Sequence, residues 1–206
     1  MIRIIVVDDQ AMVRGALATL LDLEDDIEVV GQAASGTEAL DLIAHLKTRE
    51  IGVDITLLDV EMPHLDGIGT ARRIATEHPE THCLIVTTFG RPGYVQRALE
   101  AGARGFIVKD TPLPQLAAAI RKVAAGERVV DPQLAVDSMT RGTSPLTDRE
   151  TDVLRAAVDG GTIEDIAAAV HLSTGTVRNH VSAAMTKTNA RTRAEAAHIA
   201  RENGWL

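Results

Sequence analysis

The sequence predicts an α/β domain built on a five-stranded, parallel, doubly wound sheet, followed by a small all-α domain. Two observations lead to this prediction. Short β-branched runs alternate five times with stretches of helical length and period over residues 1–125, which is typical of a parallel sheet covered by helices on both faces. Residues 146–206 contain no convincing strand, but they carry several motifs that begin helices.

The predicted strands are short, and the run at residues 4–7 is apolar without alternation, as expected of a strand buried on both faces. The predicted strands span Ile2–Val7, Ile27–Gly31, Asp54–Leu58, His82–Thr87 and Gly105–Val108. The predicted helices span Ala11–Leu21, Thr37–Lys47, Gly67–Glu77, Pro92–Ala101 and Pro112–Ala125. Ser35, followed three residues later by Glu38, predicts a capping box at the start of the second helix.

Residues 126–145 do not continue the alternation of strand-like and helix-like segments, and they contain glycine, serine and proline, so we expect a linker there. It would separate a domain at residues 1–125 from one at 146–206. Helix-capping motifs mark the second domain, with capping boxes at Thr147, Thr162 and Thr192 and an N-cap at Ser173. We expect four short helices, at about 147–158, 162–170, 173–187 and 192–203.

Composition excludes several classes of protein. Only four residues are aromatic, which argues against a base-stacking platform for single-stranded nucleic acid. The one cysteine, Cys83, cannot form an intramolecular disulfide. No apolar run approaches the ~18 residues that cross a membrane, and the first ten residues lack the features of a signal peptide. We therefore expect a soluble, cytoplasmic protein with no membrane partner.

The net charge of −8 hides an uneven distribution. Residues 1–125 hold 12 Lys and Arg against 18 Asp and Glu, whereas Ile166–Ala194 contains basic residues and no acid. The basic residues of that stretch are Arg178, Lys187, Arg191 and Arg193. A local basic stripe on an acidic chain is typical of a nucleic-acid surface, although chance clustering would give the same pattern.

Acidic residues stand where two predicted strands end. Asp8 and Asp9 end the first strand, and Asp59 ends the third. In a sheet of order 2-1-3-4-5 these strands are neighbours, and ligands bind outside the carboxyl ends of such strands. Crowded carboxylates are unfavourable unless a cation neutralises them, and hard oxygen ligands suit Mg²⁺. Each acid alone would ordinarily be a cap or a solvated side chain.

Two further side chains end predicted strands. Lys109 ends the fifth strand with an ammonium group, and Thr87 ends the fourth with a hydroxyl. A carboxylate, a divalent cation, an ammonium and a hydroxyl can together accept and hold a phosphoryl group, with the carboxylate as nucleophile. The pattern therefore predicts a phosphoryl-accepting site at this edge of the sheet.

Residues 1–125 resemble the receiver domain of two-component systems, a flavodoxin-like fold, in the segments IIVVDDQ, ITLLDVEMPHLDG, LIVTTF and AGARGFIVKD. The resemblance implies Asp59 as phospho-acceptor, Thr87 as a phosphoryl ligand and Phe106 as the aromatic that moves inward with it. It implies a Mg²⁺ site made of Asp9, Asp59 and the carbonyl of Glu61, with Asp8 as an outer-sphere partner. Two residues depart from the wider pattern, because Phe106 replaces a common Tyr and Asp110 replaces a common Pro.

The helix expected near Ser173 has two distinct faces. Its apolar face would consist of Val177, Val181, Ala184 and Met185. Its other face would carry Thr174, Arg178, Asn179 and Ser182. A polar, basic face on a short helix after a tight turn fits the DNA major groove, although a solvated helix face would look the same.

Residues 146–198 resemble a LuxR-type helix-turn-helix in the segments LTDRETDVL and TIEDIAAAVHLSTGTVRNHVSAAMTKTNARTRAEAA. Both halves together place the chain in the NarL/FixJ class of response regulators. The predicted DNA contacts are Thr174, Thr176, Arg178, Asn179, Ser182, Lys187, Arg191 and Arg193. Two features depart from the pattern: residues 162–165 (TIED) are acidic where relatives often carry basic residues, and Thr188 replaces a usual Leu.

The resemblance implies a transcriptional response regulator that a sensor histidine kinase phosphorylates on Asp59. Phosphorylation would promote homodimerisation and binding to double-stranded promoter DNA, and RNA polymerase is a candidate partner. The dimer surface would lie around the fourth helix, fifth strand and fifth helix, or on apolar residues of the first and fifth helices. The apolar residues of that second surface are Leu17, Leu20, Leu21, Leu116 and Ile120.

The chain would not be an enzyme beyond accepting the phosphoryl group and slowly releasing it. Two other classes of protein share part of this pattern. A phosphorelay shuttle without DNA binding would not need the basic stretch. A flavodoxin-like enzyme or a haloacid-dehalogenase-like phosphatase shares the architecture, but such a phosphatase carries a second Asp two residues after its nucleophile. Gln10 stands two residues after Asp8.

Overall fold

A computed structural model describes residues 1–88, 90–132, 134–136, 144–158 and 160–206. The described residues divide into two compact units, an N-terminal unit from 1–90 and 95–136 and a C-terminal unit from 91–94 and 137–206. Within these ranges, no helix combines the length and apolar character that crossing a membrane requires. Much of the predicted linker, residues 133 and 137–143, lies outside the described residues.

The N-terminal unit is built on a parallel sheet of order β2-β1-β3-β4-β5-β6. Its strands are β1 (Ile2–Val7), β2 (Ile27–Ala33), β3 (Ile55–Leu58), β4 (His82–Thr87), β5 (Gly105–Val108) and β6 (Val129–Val130). The predicted fold class and the order of the five long strands are confirmed. The sixth strand is an addition within the stretch expected to be linker. Gly126, with a φ of 85°, turns the chain back so that Val129 N donates to the carbonyl of Arg104 at 2.9 Å.

A helix follows each of the strands β1 to β5: α1 (Ala11–Leu21), α2 (Gly36–Thr48), α3 (Gly67–Glu77), α4 (Pro92–Glu100) and α5 (Leu113–Ala124). α1 and α5 cover one face of the sheet through Leu21, Ala117 and Ile120, which pack against Ile4 and Val6 of β1. Contacts of α2 and α3 with each other and with the strands cover the opposite face. Strand side chains alternate between faces, so the helices bury β1 from both sides.

Two polar side chains lie in the centre of the sheet. Thr56 on β3 and Cys83 on β4 are register partners, and both are buried. Burial raises the pKa of the Cys83 thiol to about 12. The hydroxyl of Thr56 has no hydrogen-bond partner among the residues that the structure describes.

We expect Thr56→Val to raise the free energy of unfolding of the N-terminal unit by ~1 kcal/mol. Valine keeps the shape of threonine and removes a buried hydroxyl whose desolvation no hydrogen bond offsets. The matched control is Thr81→Val, because the buried Thr81 hydroxyl donates to the carbonyl of Val53 at 2.8 Å. The control should lower stability by a similar amount. Scanning calorimetry measures both, and a destabilised Thr56→Val would contradict the prediction.

The described residues from 144 onwards in the C-terminal unit form four helices: α6 (Asp148–Ala157), α7 (Ile163–Ala169), α8 (Thr174–Thr188) and α9 (Arg193–Glu202). One part of its core joins α6, α7 and α8 through Val153, Ile166 and Val177. A second part joins Leu146 and α6, α8 and α9, and Trp205 packs against it. The four predicted helices are therefore confirmed to within one or two residues at each end.

The predicted capping motifs divide into two groups. At Thr147 and at Thr162 both bonds of the capping box are present, as predicted. At Ser35 and Thr192 only the first bond forms, from the backbone N–H three residues later to the cap hydroxyl. The glutamates there reach one residue further back and accept from the N–H of the residue before the cap.

Candidate functional site

The three predicted acids meet at the carboxyl ends of β1 and β3. Carboxylate oxygens of Asp8, Asp9 and Asp59 all lie within 4.8 Å of one another. Asp8 and Asp59 are buried, whereas Asp9 is exposed. Adjacent parallel strands end at the same edge, so the topology alone creates this crowding. An all-oxygen cluster with one solvent-facing member is chemically suited to a hard divalent cation.

Lys109 places its ammonium between the two buried acids. Its Nζ lies 2.7 Å from Asp8 Oδ2 and 2.9 Å from Asp59 Oδ2. Burial raises the pKa of Asp59, and the bond from Lys109 opposes that shift. Burial alone would lower the pKa of Lys109, but its bonds to the two carboxylates outweigh burial and raise it. The ammonium is therefore held in its charged form beside Asp59.

Backbone groups orient the two buried carboxylates. Asp59 Oδ1 accepts from the N–H of Val60 at 2.8 Å, and Asp8 Oδ1 accepts from the N–H of Gln10 at 2.9 Å. Each carboxylate thus uses one oxygen for the main chain and the other for Lys109. This division fixes the rotation of both carboxylates.

Two residues that support the site were not predicted from the sequence. Arg14, on the first turn of α1, donates from Nη1 to the carbonyl of Asp8 at 2.5 Å. Gly67, the first residue of α3, lies so close to the backbone carbonyl of Asp59 that any side chain there would collide with it. In the sequence, Gly67 stands at the first position of a helix capped by Asp66. Glycine is a poor helix former, so its presence there is the one sign that a side chain would not fit.

The remaining predicted residues lie on β4, on β5 and just after β3. Thr87 is fully buried at the end of β4, and its carbonyl accepts from the N–H of Lys109 at 2.8 Å. Phe106 is fully buried on β5, in register with Ile85. Glu61 lies two residues after Asp59 and is exposed.

In the C-terminal unit, α8 has the two faces that the sequence predicted. Val177, Val181 and Ala184 are buried, and Arg178, Asn179 and Ser182 are exposed. Thr174 and Thr176 are half-buried. The Thr176 hydroxyl is engaged by the Ser173 cap at 2.8 Å. Asn189, in the left-handed conformation with a φ of 53°, ends the helix.

Three of the four basic side chains of this stretch have partners within the unit. Lys187 Nζ lies 2.7 Å from Glu150, whose side chain is only 7% exposed. Arg193 donates to the carbonyl of Gly161 at 2.9 Å. Arg178 Nη2 lies 3.8 Å from Oε1 of Glu164. Two cations of the stretch without acids, Lys187 and Arg178, are therefore paired in space with acids from α6 and α7, which a sequence window does not detect.

Known families match both halves of the chain. The family described as response regulator receiver domain matches residues 4–121, and that described as bacterial regulatory proteins, luxR family, matches residues 144–200. The chain is 45% identical over 206 residues to the uncharacterized transcriptional regulatory protein YvfU of Bacillus subtilis (strain 168), with 100% of both chains covered. It is 42% identical over 208 residues to the transcriptional regulatory protein DesR of the same strain, again with 100% of both covered.

A solved structure agrees with these relatives. The response regulator ChrA of a heme-sensing two-component system is 30% identical, with a TM-score of 0.57, and the match covers 100% of this chain and 98% of that one. Both relatives are named as transcriptional regulatory proteins. With its acidic cluster beside Lys109 and its exposed polar face on α8, the chain belongs to the two-component response regulators that join a receiver domain to a LuxR-type helix-turn-helix DNA-binding domain.

Proposed function

We propose that a sensor histidine kinase phosphorylates this regulator on Asp59 and that phosphorylation promotes dimerisation and binding to promoter DNA. The observation that carries the proposal is the buried Asp59 carboxylate, held at 2.9 Å by Lys109 and next to two further acids. A carboxylate oxygen of Asp59 forms a bond to the phosphorus of the phosphohistidine. The phosphorus–nitrogen bond breaks, and its electron pair leaves with the imidazole.

Mg²⁺ fits the oxygen-rich cluster of Asp8, Asp9 and Asp59. Asp9, Asp59 and the carbonyl of Glu61 would hold it, with Asp8 as an outer-sphere partner. When bound, it would screen the negative charges of the carboxylates and the phosphoryl group. Lys109 pairs with a phosphoryl oxygen, and the Thr87 hydroxyl binds another. Phe106 fills the space behind Thr87, so that loading of the site changes the nearby surface. Slow hydrolysis of the aspartyl phosphate resets the protein.

For DNA recognition, α8 enters the major groove. Base edges are contacted by Arg178 and Asn179. The phosphates next to the helix are contacted by Thr174, Thr176 and Ser182. More distant phosphates of the DNA backbone are reached by Lys187, Arg191 and Arg193. The exposure of Arg178, Asn179 and Ser182 favours this arrangement. The internal partners of Lys187 and Arg193 argue that these two act more by holding the unit together than by contacting DNA.

The domains of this regulator are proposed to span 1–125 and 146–206, with a linker at 126–145, consistent with family matches at 4–121 and 144–200. It would work in the cytoplasm, where promoter DNA and RNA polymerase are its partners. One proposed dimer surface loses support, because Leu21, Leu116 and Ile120 are buried core residues. On that surface Leu20 is 42% exposed. The surface around α4, β5 and α5 stays a prediction.

We expect acetyl phosphate and Mg²⁺ to convert the protein from monomer to dimer and to tighten its binding to a duplex selected from a random library with the phosphorylated protein. A second helix-turn-helix on the same duplex binds as an effectively intramolecular partner, which increases affinity without new kinds of contact. Light scattering and gel shifts measure the two effects at matched protein concentration. Asp59→Asn is the control and should respond in neither. A parent protein that stays monomeric with unchanged affinity would exclude dimerisation as the mechanism.

A further inference from the structure

We propose that Glu164 is a specificity-determining residue of the DNA-binding unit. In the free protein Glu164 holds the guanidinium of Arg178, so DNA engages Arg178 only where the duplex offers an acceptor better than a carboxylate. The inference rests on the proposed binding of DNA by α8, and it adds a residue of α7 to the determinants of that binding.

Packing fixes the distance between the two helices that carry this pair. Ile166 and Ala167 of α7 pack with Val177 and Val181 of α8 in one hydrophobic cluster. Across this contact, Arg178 Nη2 and Glu164 Oε1 lie 3.8 Å apart. The two side chains are 63% and 65% exposed, so a DNA phosphate or base can reach Arg178 and compete with Glu164 for it.

Of the two acids in the first turn of α7, Asp165 caps the helix, which leaves the Glu164 carboxylate to pair with Arg178. Asp165 Oδ2 accepts from both the N–H and the hydroxyl of Thr162 at 2.8 Å, which completes the capping box of α7. Glu164 lies next to it in the first turn but extends towards α8. A carboxylate is thus placed beside the face that carries Arg178, Asn179 and Ser182, where an approaching duplex would bring its phosphates.

The strength of the pair suits a reversible competitor. An exposed ion pair contributes little to stability, so Arg178 can be released at a small cost. A single phosphate replaces one anionic partner by another and gains little, while Glu164 repels it. The O6 and N7 atoms of guanine instead offer two hydrogen bonds in the geometry of the guanidinium. Glu164 therefore lowers affinity for DNA that lacks a guanine at this position.

The test is a double-mutant cycle in the full chain on a duplex of A·T pairs alone, which offers no guanine, with parent, Glu164→Gln, Arg178→Ala and the double variant. We expect Glu164→Gln to tighten binding about two- to fivefold, the range of an exposed ion pair. Its salt dependence should steepen by about one phosphate contact. Arg178→Ala alone should change affinity by less than about twofold, because Arg178 is already paired. In the Glu164→Gln background it should remove the gain.

Asp148→Asn is the matched control, since it also removes a negative charge from the first turn of a capped helix in the same unit. No ion pair to Asp148 is found within 4.0 Å among the described residues. An equal gain in this control, or a Glu164→Gln gain that persists without Arg178, would overturn the inference in favour of a general charge effect. A parent that does not bind duplex overturns the proposed function as well, whereas a binding parent with an unchanged Glu164→Gln variant overturns this inference alone.

Discussion

Incubated with acetyl phosphate and Mg²⁺, the parent protein is expected to gain the mass of one phosphoryl group, and the Asp59→Asn variant is expected to gain none. The amide of asparagine is a poor nucleophile and cannot replace the carboxylate that Lys109 and the Val60 N–H orient. Intact-mass spectrometry measures the change directly. Asp9→Asn should still be labelled, but more slowly, because it removes the exposed oxygen ligand of the cation site.

Asp54→Asn is the matched control for this experiment. Asp54 stands just before β3, at the end of the strand opposite to Asp59, and its carboxylate accepts from the N–H of Arg3 at 2.7 Å. Asparagine can keep that bond through its carbonyl oxygen. This control should therefore be labelled like the parent. Full labelling of Asp59→Asn would show that another residue is the phospho-acceptor.

Replacing Lys187 by methionine is expected to lower the free energy of unfolding of the C-terminal unit by about 2–4 kcal/mol. The substitution leaves the carboxylate of Glu150, which is only 7% exposed, without its cation at 2.7 Å. Loss of the cation beside a buried carboxylate is among the largest destabilising effects of a single substitution, and here only the N–H of Thr147 at 2.7 Å would still offset part of the charge. The fluorescence of Trp205, the one tryptophan of the chain, reports on this unit because Trp205 packs against its core.

The pH dependence of the effect provides an independent check. Burial raises the pKa of Glu150, but hydrogen bonds from Lys187 and from the backbone of Thr147 outweigh burial and hold it below its usual value. A lowered carboxyl pKa stabilises the fold above the pKa of the unfolded chain, about 4.3, and the contribution is lost as pH falls through the folded pKa. The difference between parent and Lys187→Met should therefore be largest near neutral pH and narrow in acid.

Arg191→Met is the control for Lys187, because Arg191 is an exposed cation of the same stretch. It should leave the Trp205 transition nearly unchanged and reduce the salt dependence of DNA binding by about one contact. If Lys187→Met behaves like this control instead of destabilising the unit, Lys187 is a phosphate contact, as the sequence first suggested.

Local patterns were sufficient to predict most of the fold. The bounds of β1, α1, α3, β4 and β5 agree with those read from apolar runs and helical period. β6 was not predicted because two valines are too few to show a period, and its pairing depends on the distant backbone of Arg104 and Gly105. Glu38 and Glu195 do not close the capping boxes predicted at Ser35 and Thr192, because the spacing of the residues does not determine which backbone N–H the glutamate side chain reaches.

The acidic cluster was predictable because parallel topology brings strand ends together whatever the details of packing. The roles of Arg14 and Gly67 beside the cluster were not predictable. Both depend on contacts with backbone carbonyls, of Asp8 and of Asp59, and the residue types in a sequence do not reveal such contacts. The same holds for the basic stretch. Glu150 precedes Lys187 by 37 residues, so no window that shows the charges of α8 also shows the carboxylate that binds one of them.

The buried thiol of Cys83 makes this chain convenient for spectroscopic labelling. Only the thiolate reacts with maleimide or methanethiosulfonate reagents, and a pKa of about 12 together with 2% exposure leaves the native cysteine inert near neutral pH. A cysteine introduced at an exposed position such as Leu23 or Asp148 would be the one reactive thiol of the protein, with no native residue to remove first. Pairs of such labels allow distances between the two units to be followed in solution as acetyl phosphate is added.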